Sequence, residues 1–495
     1  MTIPSLLFLA CAAAAALIYW KIPAAWRAPW LLLLSFGFIA TYSWQFVLVL
    51  ALFVLVNYAV GLKMEGRPER MQAWSYFGLA FNLLFLFVLK YNDFYLPALS
   101  PLLTQMGLLA AGDTARIIVP IGLSFLMVQA ISYVLDLRNK RLHAEKRLIP
   151  FAVYLLYFPK LLSGPIEKAR TFLPRLDQPR PVDRAQLERS LALIVTGLFR
   201  KIVFADPLFN FIPTDVFTAP LHYAGQDLLL YLLAYSFALY NDFAGYTGIV
   251  RGISLWFGIE LSPNFNLPYL ARNFTEFWAR WHISLSNWLR DYIFFPFSRM
   301  LARHGQKYAK YLNLILPPLV TMIVSGLWHG LGWGLIVWGA LHGLYQVIER
   351  LPSLWHKVTP PNEQPKWKQA LGTSLTFIFA SAAWVPFHTS LTNSLQFFSS
   401  LVHWQKPEFY LFRTTVLEGK IPLTSWSDFG FPNPMLLMTL VLAIVLDILQ
   451  LRGKKEEFLQ DWPGWATGLF MLILLIIGLL ATFSDQIAPF VYQTF

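Results

Sequence analysis

The feature that most constrains this chain is a succession of apolar runs, each near the length that crosses a bilayer. They fall near 5–20, 30–43, 45–62, 74–91, 116–136, 188–210, 226–250, 311–328, 332–349, 368–388, 433–451 and 464–482. About 20 apolar residues span a hydrocarbon core as a helix, and only helices or closed barrels satisfy their backbone there. Charged residues make up 13% of the 495, against about a quarter in a soluble domain. The expected fold is an all-α polytopic membrane protein with about 11–12 transmembrane helices. Two further apolar stretches, 148–165 and 260–296, are broken by Pro, Gly and charges. They fit re-entrant or in-plane helices, tolerated only inside protein or along a cavity.

The formal net charge is +12, but it does not mark a nucleic-acid partner. The basic residues cluster in short loops between apolar runs, as topology determinants do. Residues 137–147, "LRNKRLHAEKR", carry five Lys or Arg, whereas 97–115 and 211–226 carry none. With twelve spans, every basic loop falls on one side, which places both termini outside the cytoplasm. One membrane domain, 1–495, is expected, with an extracytoplasmic segment at 389–432 and C-terminal helices and an aromatic tail at 433–495. Cys11 is the single cysteine, so neither an intrachain disulfide nor a thiolate metal cluster can form. No metal-ligand spacing is present elsewhere.

Three polar clusters interrupt this apolar background. In "SPNFNLPYLARNFTEFWARWHISLSNWLRDYIFFPF" (262–297), Phe277, Trp278, Trp281, Leu285, Trp288 and Tyr292 recur every three or four residues. That spacing predicts a helix with an aromatic face. It suits either an interfacial anchor or a site where Arg272, Arg280 and Arg290 offer guanidinium forks to phosphates, with His282 facing inward. In "LYNDFAGYTG" (239–248), Asn241 and Asp242 lie within an apolar run. They either brace neighbouring helices or bind substrate, since a carboxylate there is costly unless paired. Gly245 and Gly248 permit close backbone approach.

The third cluster is "SGLWHGLGW" (325–333) with "ALHGL" thirteen residues beyond its histidine. Glycines 330, 332 and 334 argue against one unbroken helix, so His329 and His342 can converge. His342 reads as a hydrogen-bonded core histidine. His329 reads as functional, because neutral imidazole can take a proton from a hydroxyl nucleophile. Trp328 would wall the passage beside it.

Together and in this order, these motifs resemble the membrane-bound O-acyltransferases, in the bacterial branch typified by the alginate O-acetyltransferase membrane subunit. The resemblance runs from "PIGLSFLMVQAISYVLDL" (120–137) through "SGPIEKA", "YNDFAGYTG" and the 264–292 block to "GLWHG" and "LHG", giving a family core at about 116–350. It implies a ring of helices around a thinned membrane centre, with a tunnel joining acyl-thioester to acceptor. It makes His329 the catalytic histidine and His282 a second functional one beside the donor path. Arg280, Arg290, Asn241, Asp242, Trp328 and His342 become candidate donor or substrate contacts.

The resemblance implies no bound cofactor, acetyl-CoA as donor, a polysaccharide acceptor outside the bacterial inner membrane, and an SGNH-type transferase or esterase partner. In related systems a C-terminal aromatic motif with a tyrosine serves as an acyl way-station, which points to Tyr492 in "PFVYQTF". The chain departs from the branch at Thr247 and Gly248, where a Ser-Asp pair is usual, at "PFSRM", and at His388 in place of an Arg. D-alanyl transfer to teichoic acid is the alternative within the class. A transporter or export channel is the alternative outside it.

Overall fold

The computed structural model describes residues 5–110, 117–303, 309–357, 359–404 and 434–453, together with Gly468, Leu469 and Leu472. Among them there is no strand. The helices are α1 (Leu6–Lys21), α2 (Ala24–Ala40), α3 (Trp44–Gly66), α4 (Met71–Lys90), α5 (Asn92–Gln105), α6 (Leu123–Arg138), α7 (Leu148–Leu156), α8 (Ala169–Asp177), α9 (Arg184–Phe199), α10 (Asp206–Phe211) and α11 (Gly225–Trp256). They continue with α12 (Phe274–Arg280), α13 (Ile283–Leu289), α14 (Phe295–Arg303), α15 (Ala309–His329), α16 (Trp333–Arg350), α17 (Lys366–His388), α18 (Leu391–Ser400) and α19 (Pro434–Gly453). Five are long and apolar enough to cross a membrane: α3, α4 with the turn before it, α11, α15 and α17. Shorter apolar helices lie within α1, α2 and α19.

Each apolar run within the described residues is a helix; the run at 464–482 lies almost wholly outside them, as do residues 405–433. The Lys- and Arg-free segment at 97–115, expected as a loop, instead carries the second half of α5, which contains Pro97 and Pro101.

Local chemistry sets the helix ends. Ser5, Ser43 and Asp183 each accept a backbone N–H from the first turn of α1, α3 and α9, satisfying donors that a helix start leaves open. Lys21, Lys63 and Arg138 sit in last turns, where a cation meets the negative end of the dipole.

The outer helices expose apolar side chains as well as burying them. Leu48 and Leu52 of α3 and Leu83 and Leu84 of α4 are exposed, while Asn57 and Asn82 are fully buried between the same helices. Asn82 Nδ2 donates to Asn57 Oδ1 at 2.8 Å, a polar pair that holds helices together where lipid supplies no hydrophobic drive. Residues 151–167, the end of α7 and the largely irregular stretch that follows it, are buried without exception, as irregular backbone in a membrane protein must be.

Glycines set the closest helix contacts. A Cβ on Gly326 of α15 would sit 2.2 Å from the Leu335 carbonyl oxygen, and one on Gly339 of α16 would sit 2.3 Å from that of Met322. A Cβ on Gly197 of α9 would lie 2.6 Å from the Gly245 carbonyl oxygen of α11. The close approach read from Gly245 and Gly248 is therefore made by α9.

Candidate active site

The stretch expected as one aromatic helix from Phe274 is two helices joined by a kink. Asn273 caps α12 by accepting from the Glu276 N–H at 2.7 Å, and Glu349 of α16 accepts from the N–H groups of Phe274 (2.7 Å) and Thr275 (2.9 Å). The helix then stops because His282 takes a left-handed conformation, φ 42°, which costs a branched or bulky residue energy and persists only where the surroundings impose it. Residues 264–266 impose it here. The Ile283 N–H donates to the Asn264 carbonyl at 2.9 Å, and the Asn266 N–H donates to the Arg280 carbonyl at 2.9 Å.

Asn264 also orients the His282 ring. Its Oδ1 lies 3.2 Å from His282 Nδ1 and accepts from the Ser284 N–H (3.1 Å) and hydroxyl (2.8 Å). An oxygen can only accept, so Nδ1 carries the proton and Nε2 the lone pair. The ring is 1% exposed and stands edge-on to Phe243 at 4.9 Å and stacked on Phe125 at 6.1 Å.

His329 is the last residue of α15, and the glycines after it end the helix before α16 begins at Trp333, so the break read from them is present. Its buried ring lies 4.8 Å from Trp328, 5.0 Å from Phe387 and 5.4 Å from Trp338. Trp328 in turn lies 6.4 Å from His282. Both histidines thus pack against one indole.

His342 converges on the same centre, packing against Trp338 at 5.1 Å. It is fully buried, as a core residue, but rings hold it rather than hydrogen bonds. Trp278, Phe274, Phe277 and Tyr345 surround it, and neither of its nitrogens has a hydrogen-bond partner among the described residues.

A cleft of about 440 Å³ opens beside this centre, lined among others by Trp278, Asn287, Arg290, Thr321, Gln346 and Arg350. Thr321, Ser325 and His329 follow at four-residue spacing and are all buried, so they form one stripe on α15 leading from the cleft to the imidazole. Along it, Thr321 Oγ1, Ser325 Oγ, Trp278 Nε1 and Trp338 Nε1 are buried without a hydrogen-bond partner among the described residues. Each such group costs about 1–3 kcal/mol unless something polar meets it.

The remaining candidates divide. Arg290 lines the cleft, whereas Arg280 folds back onto Glu276 at 2.5 Å. Asn241 and Asp242 lie in a separate buried network. Lys201 Nζ bridges Asp242 and Asp206, each at 2.7 Å, and Arg200 reaches Asn241 Oδ1 at 2.6 Å, Asp447 Oδ1 at 2.7 Å and Gln450 Oε1 at 2.8 Å. Such pairing is what a brace between helices requires. Tyr492 lies outside the described residues. Sequence reasoning missed Asn264, Glu349, Trp338 and Phe387, whose roles exist only through partners distant along the chain. It also passed over Lys90, a cation within an apolar run, which was a visible signal.

The family model for membrane-bound O-acyltransferases matches residues 19–392, which takes in both histidines, the kink and the cleft. The chain belongs to this family. Among curated relatives of the O-acyltransferase, a probable alginate O-acetylase of Azotobacter vinelandii is 33% identical over 75% of this chain and 71% of its own length. A peptidoglycan O-acetyltransferase of Helicobacter pylori is 28% identical over 94% and 91%. A teichoic acid D-alanyltransferase of Bacillus subtilis is 29% identical over 52% and 66%. The protein is a membrane enzyme of acyl transfer.

Proposed function

We propose that this O-acyltransferase moves acetyl from cytoplasmic acetyl-CoA to a hydroxyl of an extracytoplasmic polysaccharide, from the inner membrane of a bacterium and with both termini outside the cytoplasm. The observation that carries the reading is the polar stripe Thr321–Ser325–His329 running from the arginine-lined cleft to a buried imidazole. A thioester arm with amide groups is a polar chain that could meet such otherwise unmatched atoms. Arg290 and Arg350 lie in or beside the basic segments 290–310 and 350–368, which the positive-inside reading expects on the cytoplasmic side. They are suited to the phosphates of a soluble donor, as guanidinium forks are.

In this reading His329 accepts the proton of the attacking hydroxyl. The hydroxyl oxygen bonds to the acyl carbon, the carbon–sulfur bond breaks, and the thiolate departs to take up a proton. His282, with its lone pair on Nε2, orients the donor, and nearby N–H donors steady the developing oxyanion. No resident cofactor or metal enters the scheme. The acetyl relatives match the greater part of this chain whereas the D-alanyl relative matches about half, which favours acetyl. A secreted SGNH-type partner and an acyl way-station at Tyr492 complete the route to the glycan.

Incubation of the purified protein with labelled acetyl-CoA tests the reading. Free CoA should be released, and label should appear on the glycan or on the C-terminal peptide that contains Tyr492. Release of no CoA, with intact solute carried across proteoliposomes instead, would establish the transporter alternative. The cleft assignment has its own test. In Arg290→Ala/Arg350→Ala, loss of charge-assisted hydrogen bonds worth about 1.5–3 kcal/mol each is expected to raise the donor KM at least about tenfold with kcat nearly unchanged. An unaltered KM would move the donor elsewhere.

A further inference from the structure

Lys90 ends α4 at the close of an apolar run, where a cation requires a partner. Its hydrogen bonds go to a carbonyl and a hydroxyl. Nζ donates to the Trp328 carbonyl at 2.9 Å and to Ser124 Oγ at 3.1 Å, and it lies 5.8 Å from the centre of the Trp328 ring.

The position of that carbonyl matters. The last carbonyls of a helix have no intrahelical donor and carry the negative end of the dipole, and α15 ends at His329. Gly326 O accepts from the Gly330 N–H at 3.2 Å. Leu327 O accepts from the Tyr91 hydroxyl at 2.8 Å, and Trp328 O accepts from Lys90. Two neighbouring residues at the end of α4 therefore cap the helix that presents His329.

A second restraint acts on the Trp328 side chain. Its Nε1 donates to the Ser124 carbonyl at 3.2 Å, so Ser124 accepts from the Lys90 ammonium through its hydroxyl and from Trp328 through its backbone. The residue preceding His329 is thus held at both its carbonyl and its ring, against two different helices. That ring is the one that packs against both His329 and His282. Any drift of the α15 terminus would carry the imidazole with it, and a misplacement of about 1 Å can cost on the order of 10²-fold in rate.

We propose that Lys90 is a positioning residue for acyl transfer, fixing the end of α15 and the Trp328 ring so that the His329 imidazole is aimed at the acceptor hydroxyl. This rests on His329 acting as the general base. Lys90 acts through the end of α15, since both of its hydrogen bonds go to Trp328 and Ser124. Among the described residues its charge is matched by the helix terminus and by no carboxylate, so a cation is required there and a neutral side chain of similar length does not replace it.

The test compares Lys90→Met, Lys90→Arg and Ser124→Ala in the full-length purified protein, measuring kcat and donor KM with acetyl-CoA together with the melting temperature. Lys90→Met should lower kcat on the order of 10²-fold with donor KM within about twofold of wild type. Lys90→Arg, which keeps the cation, should recover most of the loss. Ser124→Ala, which removes one acceptor of the ammonium, should lower kcat about threefold to tenfold, again without a change in KM. A folded Lys90→Met with wild-type kcat would overturn the proposal. So would equal kcat loss in Lys90→Met and Lys90→Arg that tracks a fall in melting temperature, which marks a purely structural role. If Lys90→Met does not fold, wild-type kinetics in Ser124→Ala overturn it. An active His329→Ala would instead sink the general-base reading itself.

Discussion

His329→Ala is expected to lower acyl transfer by about 10³-fold or more while the protein stays folded. A positioned general base contributes about 10²–10⁴-fold, and no second imidazole can take over from where it stands. His282 is buried against Phe243 and Phe125, and its Nδ1 is committed to Asn264. His342 packs against Trp338 within its own set of rings. The fold should survive because loss of the ring opens a cavity no larger than one imidazole in a site walled by Trp328, Trp338 and Phe387. Comparing CoA release, acetyl incorporation and melting temperature in wild type and variant decides the matter. Activity within about tenfold of wild type, in a variant that melts normally, would remove His329 from the chemistry. His282→Ala should act differently, by disturbing donor orientation.

How much of this was legible in the sequence depended on the range of the interaction. Helix positions followed from apolar runs, because a bilayer makes hydropathy and length nearly sufficient. The break after His329 was legible because Gly330, Gly332 and Gly334 are adjacent to it. The kink at His282 was not, since the aromatic spacing continues through it without interruption. The kink is imposed by Asn264 and Asn266, which become neighbours only when the chain folds back. His342 shows the same limit. Its burial could be read from "ALHGL", but its enclosure by rings from α12 and α16 could not, so a hydrogen bond was expected where the structure has stacking. Asp242 was legible as a costly charge, yet its partner was not, because Lys201 comes opposite it only in the fold.

That pairing yields the second large effect. Lys201→Met is expected to destabilise the protein by about 3–5 kcal/mol, a large part of the roughly 5–15 kcal/mol that holds a folded domain together. Lys201 Nζ is fully buried and lies 2.7 Å from both Asp206 and Asp242, so its removal leaves two carboxylates in low dielectric without that cation. The damage should spread. Asp242 precedes Phe243, which packs edge-on against His282 at 4.9 Å, and the adjacent Arg200 ties α19 to α11 through Asp447 and Asn241. The expected observation is a lower melting temperature in detergent and loss of a single monodisperse species. Replacing all three partners, as Lys201→Met/Asp206→Asn/Asp242→Asn, should recover much of the stability, because removing a whole buried ion cluster costs far less than stranding part of it. Asp242→Asn alone should be milder, since Lys201 keeps Asp206. The same variants separate brace from binding site. A substrate contact at Asp242 predicts a raised KM at unchanged melting temperature, whereas a brace predicts a lowered melting temperature at unchanged KM. Lys201→Met melting like wild type would contradict the brace, because no buried carboxylate pair tolerates loss of its cation at no cost.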